Sequence, residues 1–177
     1  LKPVQLAGTV VKRATLHKAG GKDERMALFL IDEISFKNNL IFTPAIRYES
    51  QKITDETNRT GPYENSALMG GASAQYNFLE NFSAFVSSAY TESLPIMDDL
   101  YASFSNRPQP ELMSKSEKSN TVELGTIISQ NSLISENDKI IFKITGYQTD
   151  LNDITSYSRV ESVNRNGVEV EASYSTI

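Results

Sequence analysis

The chain has 177 residues, 39% of them hydrophobic and 22% charged, with a net charge of −5 and no cysteine. The acidic balance argues against a general nucleic-acid surface, and the missing cysteines exclude thiol catalysis, disulfides and thiolate metal sites. No stretch approaches the roughly 18 to 20 uninterrupted apolar residues of a membrane helix, whereas a membrane barrel needs only alternate residues to be apolar.

The opening Leu1-Lys2-Pro3-Val4 lacks the charged, apolar and cleavage regions of an export signal, so any such signal is expected to be missing or already removed. Residues 2 to 18, Lys-Pro-Val-Gln-Leu-Ala-Gly-Thr-Val-Val-Lys-Arg-Ala-Thr-Leu-His-Lys, resemble the start of the oligonucleotide-binding domain of bacterial NAD-dependent DNA ligases. The ligase family's adenylation motif and its zinc cysteines are absent, so no ligase activity is carried over. Residues 1 to 20 are expected to be a leader of separate origin, physically one more strand or an extended arm. His17 is the only histidine and has no carboxylate or cysteine beside it, which fits a surface residue better than a metal ligand.

From Ala27 onward the chain reads as strands, expected at 27–36, 40–52, 66–78, 82–93, 121–130, 138–149, 159–165 and 168–176. Leu40, Phe42, Ile46 and Tyr48 alternate against Thr43, Ala45, Arg47, Glu49 and Gln51. Val168, Val170, Ala172 and Tyr174 alternate against Glu169, Glu171, Ser173 and Ser175, because side chains of a strand point to its two faces in turn. Residues 27–36 alternate less cleanly, since Phe29 and Ile31 share a face with Glu33.

Lys37-Asn38-Asn39, Leu79-Glu80-Asn81 and Asn166-Gly167 read as tight hairpin turns, with Asn and Gly tolerating positive φ. Longer polar connections, at about 53–65, 94–120 and 150–158, alternate with them, and 131–137 is an intermediate loop in a short position. One trim rim and one elaborated rim fit bacterial outer-membrane barrels, which have short periplasmic turns and long external loops. Phe36, Phe78 and Phe82 flank the short turns while Tyr48 and Tyr90 lie toward the long loops, as in the two aromatic belts of a bilayer. The alternating pattern alone also admits a soluble antiparallel β-sandwich acting as a binding module.

Several segments, in order, carry a resemblance to the distal barrel of TonB-dependent outer-membrane receptors. These are Leu28-Phe29-Leu30-Ile31-Asp32-Glu33-Ile34 followed by Leu40-Ile41-Phe42-Thr43-Pro44-Ala45-Ile46-Arg47-Tyr48, then Pro95-Ile96-Met97-Asp98-Asp99-Leu100-Tyr101. Pro110-Glu111-Leu112 with Ser116-Glu117-Lys118-Ser119, Glu123-Leu124-Gly125 and Asn166-Gly167-Val168-Glu169-Val170-Glu171 complete the set. The resemblance implies an all-β fold, an antiparallel up-and-down meander forming part of a transmembrane β-barrel, about eight strands of a barrel that has roughly 22 in such transporters. Residues 1–20 would then stand apart from a partial barrel at 21–177.

By the same resemblance the whole protein lies in the bacterial outer membrane and imports a scarce ligand with energy supplied by TonB through a plug domain that is absent here. A siderophore-like ligand is expected and haem less so, because Glu92-Ser93-Leu94-Pro95 replaces the Phe-Arg-Ala-Pro of haem importers and no histidine follows His17. The implied partners are that ligand, TonB and outer-membrane lipid, without nucleic acid, cofactor or metal. A polar lumen would receive Arg47, Glu49, Glu123, Lys143, Glu169 and Glu171. External loops would offer Arg59 and Tyr63, then Asp98, Asp99, Tyr101 and Arg107, since Arg and Tyr bind anionic, catechol-like groups by charge-assisted hydrogen bonds and stacking. An enzyme is not expected: Gly70-Gly71 lacks the rest of a phosphate loop, and a catalytic triad would depend on His17.

Overall fold

A computed structural model of the chain describes residues 5–14, 21–37, 39–55, 61–96, 110–135, 137–154 and 161–176. The strands are β1 (Gln5–Ala14), β2 (Gly21–Ile31), β3 (Ile34–Phe36), β4 (Leu40–Asp55), β5 (Tyr63–Leu79), β6 (Phe82–Ser93), β7 (Glu117–Asn131), β8 (Asp138–Asn152) and β9 (Ser162–Thr176). They form one antiparallel sheet in chain order, β1 at one edge and β9 at the other, with a 3-10 turn at Pro110–Ser114.

β2 and β3 are one strand with an interruption. Ile31 pairs with Ala45 and Ile34 with Phe42, so the register is unchanged across Asp32 and Glu33. Pro44 stands opposite that gap and has no N–H to donate, so the ladder skips; only the Asp32 amide donates, to the Pro44 carbonyl at 3.2 Å. The sheet is therefore eight strands wide.

That width agrees with expectation, but its make-up differs at both ends. β1, within the ligase-like segment, pairs with β2 from Gln5↔Ile31 to Ala14↔Lys22. At the other end, the expected strands 159–165 and 168–176 are the single strand β9, and Asn166-Gly167 is not a turn. Gly167 lies opposite Tyr147, and a Cβ there would come within 2.7 Å of the Tyr147 hydroxyl. This glycine admits an aromatic side chain from the next strand, a role that needs no positive φ. As a consequence β9 ends at the same rim as the short turns.

The cross-strand register gives the two faces their membership. On one face lie Leu28, Leu30, Leu40, Phe42, Ile46, Tyr48, Leu68, Ala72, Ala74, Tyr76, Phe78, Val86, Val122, Leu124, Ile128, Phe142, Ile144, Val168, Val170 and Tyr174. Large side chains here are open to the surroundings, with Leu124 66% and Val168 71% exposed. The other face carries Asp23, Arg25, Arg47, Glu49, Gln51, Ser73, Gln75, Ser87, Glu123, Lys143 and Glu171. A globular protein hides its apolar face; this sheet exposes it, which suits a sheet solvated by lipid.

Toward the long-loop rim the apolar face turns polar, through Glu24, Lys52 and Glu64, then Lys118 and Glu92, then Asp150 and Asn164. Strands thus outrun the apolar belt, and β4, β5, β7 and β8 are each longer than expected, because the apolar alternation that marks a strand stops before the hydrogen-bonded ladder does.

At the short rim, the turn between β7 and β8 is built on Asp138. Its carboxylate accepts the amides of Leu133 at 2.8 Å, Ile134 at 2.7 Å and Ser135 at 2.9 Å. Burial works against ionisation of this carboxyl, yet the backbone amides of Ser135, Ile134, Leu133 and Ser132 outweigh it and hold the group below the ordinary carboxylate range. Because the folded form is the stronger acid, its stabilising effect is complete above the pKa of the unfolded carboxyl. It disappears as the pH falls through the lowered folded value.

Two outcomes follow. Hydrogen exchange at the amides of Leu133 to Ser135 should stay slow at neutral pH and speed up only in strong acid, whereas Asp138→Asn should exchange fast at every pH. Urea unfolding in lipid vesicles should show Leu124→Arg costing about 2–4 kcal/mol, against no more than about 1 kcal/mol for Glu123→Gln on the opposite face; equal costs would contradict the assignment of faces.

Candidate functional site: an anchored loop on the polar face

Among the described residues the buried hydrophobic side chains are few and lie toward the long-loop end. Ile53 and Met113 are fully buried with Tyr63 packed against them, and Ala27, Ala67 and Leu94 are also buried. Ala27, Ile53, Tyr63 and Ala67 belong to the polar face at the long-loop end of β2, β4 and β5. They are covered by the segment that leaves β6 and by the 3-10 turn carrying Met113, both parts of the connection from β6 to β7.

Polar side chains fix the departing segment. Arg25 pairs across strands with Gln51 and Ala27 with Glu49, so period two places Asp23, Arg25, Glu49 and Gln51 side by side. Gln51 Nε2 donates to the Pro95 carbonyl at 2.7 Å and to both carboxylate oxygens of Asp23 at 3.1 Å. Arg25 Nη2 donates to the same carbonyl at 3.1 Å. Arg25 also pairs with Asp23 at 3.2 Å and Glu49 at 3.3 Å, and Arg47 pairs with Glu49 at 2.7 Å. Asn65 Nδ2 donates to Gln51 Oε1 at 3.3 Å. Two cations face two carboxylates, so the cluster is balanced and its bonds are shielded from water by the segment they hold.

The returning end of the connection is tied as well. Glu92 accepts from Ser116 Oγ at 2.9 Å and from the Tyr90 hydroxyl at 2.5 Å, and Met113 seals against Ile53 and Tyr63. A hollow of about 560 Å³ opens beside this cluster; its lining includes Phe29, Ile31, Met69, Gly71 and Ala89 from the polar face, with Arg47 paired between Phe29 and Met69.

Of the residues expected to face the lumen, Arg47 and Glu49 join the loop anchor. The other four stand on β7 to β9: Glu123 accepts from Ser87 at 3.0 Å, Lys143 pairs with Glu171 at 2.9 Å above the Phe85 ring, and Glu169 faces the same way opposite Thr145. All six share the polar face, in two separate groups. Of the expected ligand contacts, Tyr63 is half-buried against Ile53 and Met113. Arg59, Asp98, Asp99, Tyr101 and Arg107 lie outside the described residues, as does His17.

Sequence reasoning missed Asp23, Arg25, Pro95 and Met113 as members of one site. Asp23 and Arg25 precede the expected start of their strand, and the Gln51–Pro95 bond spans 44 positions.

A single continuous sheet with an exposed apolar face and a polar face crossed by an inward-folded loop is a section of the wall of a transmembrane β-barrel. It does not have the two clasped sheets of a β-sandwich. The chain belongs to the TonB dependent receptor-like β-barrel family, whose model matches residues 8–175. That match crosses residue 20 and takes in most of β1. No curated protein matches the chain. The strands accordingly span the bacterial outer membrane, their polar face is the lumen side, and the family serves TonB-dependent transport rather than enzymatic conversion. Among the described residues no helix is long and apolar enough to cross a membrane; the crossing is made by strands.

If the Gln51 amide holds the loop, Gln51→Ala leaves Asp23 and the Pro95 carbonyl short of a donor and should destabilise by about 1–3 kcal/mol. The amides of Leu94 and Ile96 should exchange faster at the same time. Lys52→Ala removes an exposed pair with Glu64 and should cost no more than about 1 kcal/mol with protection unchanged; a matching loss in both variants would count against the anchor.

Proposed function

We propose that the receptor carrying this chain imports a ferric siderophore, drawing on TonB through its plug domain, with the connection from β6 to β7 as the part that meets the ligand. The observation that supports this reading is the anchoring of that connection at both ends, by Gln51 and Arg25 on Pro95 at the lumen mouth and by Glu92 on Ser116 at the long-loop rim. Asp98, Asp99, Tyr101 and Arg107 fall between those anchored ends in the sequence, Arg59 belongs to the neighbouring connection, and Tyr63 opens β5 just after it. Arg and Tyr in such a place suit the anionic, aromatic groups with which siderophores hold iron.

The hollow around Arg47 favours the same ligand class, because an apolar lining with a cation set in it accepts a flat ring bearing negative charge. No covalent chemistry is required of the wall: it must bind, hold and release. Tyr63 contributes by packing under the loop in this reading, with ligand contact left to the side chains beyond it.

Uptake of radioactive iron from a panel of ferric siderophores, in cells depending on this receptor, tests the proposal. At least one siderophore should be taken up, uptake should vanish without TonB, and Arg59→Ala or Arg107→Ala should each weaken binding about tenfold, near 1.4 kcal/mol. Uptake of haem but of no siderophore would overturn it.

A further inference from the structure

We propose that Leu133 and Ile134, at the tip of the turn between β7 and β8, are an anchor that dips into the phospholipid leaflet at the short rim of the barrel. The two side chains are 61% and 73% exposed, side by side at a turn tip, where a purely water-facing turn would carry polar residues.

The direction of the turn is fixed by Asp138. In β8 this residue follows the parity of Ile140, Phe142 and Ile144, which face lipid; its partner in β9 is Thr176, two residues beyond Tyr174. Period two therefore sends the Asp138 carboxylate to the lipid side. The amides of Leu133, Ile134 and Ser135 all reach that carboxylate, so the turn curls toward lipid and away from the lumen. Ser132, with φ of 55°, makes the bend, and its amide closes on the Asp138 carbonyl at 3.0 Å.

The anchor continues the lipid-facing surface. Above it on the same strands lie Ile128, Ile140 and Phe142, and on the adjoining hairpin the rings of Tyr76, Phe78 and Phe82 are in contact at 4.7 and 5.6 Å between successive centroids. Between belt and tip stand two polar side chains, Gln130 opposite Ile140 and then Asp138, whose charge is buried and spent on backbone amides. A leaflet boundary, apolar below its headgroups, accepts two aliphatic side chains on a preformed turn. Holding them there fixes the depth at which the barrel sits, and this inference is independent of the imported ligand.

The chain has no cysteine, so in a receptor freed of any cysteine outside it a nitroxide can be placed at single sites, with the receptor reconstituted in phosphatidylethanolamine–phosphatidylglycerol vesicles. Leu133→Cys and Ile134→Cys, at exposed positions, are compared with Lys37→Cys in the polar turn before β4. At 133 and 134 relaxation by oxygen should exceed relaxation by a water-soluble nickel complex, and at 37 the order should reverse. Nickel dominating at both 133 and 134, or neither reagent reaching them because a protein covers the tip, would overturn the proposal.

Discussion

Everything in this structure depends on a period of two being met by two different surroundings. The backbone is satisfied strand to strand from β1 to β9, so hydrogen bonding has no preference for either face. Side chains alone decide. Leu28, Tyr48, Leu68, Leu124 and Val170 on one side could not stay open to water without a large cost, and Arg47, Glu123 and Lys143 on the other could not stay in hydrocarbon. A one-residue slip in any pair would exchange the two sets, which is why the ladders hold their register over such long strands and shift only between Asn77 and Leu79, beside the β5–β6 turn.

The polar face is where this wall departs from a plain sheet. Its only sizeable buried group among the described residues forms where the chain after β6 folds back over β2, β4 and β5, and hydrophobic contact there is reinforced by polar bonds rather than replaced by them. Farther along, aromatic side chains close over glycines: Phe85 over Gly125, where a Cβ would lie 2.6 Å from the ring, and Tyr147 over Gly167, where it would lie 2.7 Å from the hydroxyl. Each pair covers backbone with an aromatic side chain from the neighbouring strand, and Phe85 also lies beneath the Lys143 ammonium.

Much of this was legible in the residues themselves. Alternation from Leu40 to Gln51 and from Val168 to Ser175 gave the correct faces, and the turns at 37–39 and 79–81 are where Asn suggested them. Asn166-Gly167 misled because the same dipeptide serves a hairpin or a close approach by a ring, and only the neighbouring Tyr147 tells them apart. The first part of β2, residues 21 to 26, went unread for another reason: Lys22 and Glu24 sit on the lipid-side face past the belt, where charge masks the period. The loop anchor could not be read at all, since the contact of Gln51 with Pro95 depends on how the two intervening strands, β5 and β6, bring the chain back.

The central claim is that alternate side chains of a strand meet lipid while their neighbours meet a wet lumen. Single cysteines at each position from 121 to 129 in β7, carrying a small fluorophore, would be compared in vesicles with and without bromine on the acyl chains. The account predicts quenching at 122, 124, 126 and 128 and little at the positions between them. Uniform quenching, or quenching at the odd positions instead, would contradict it.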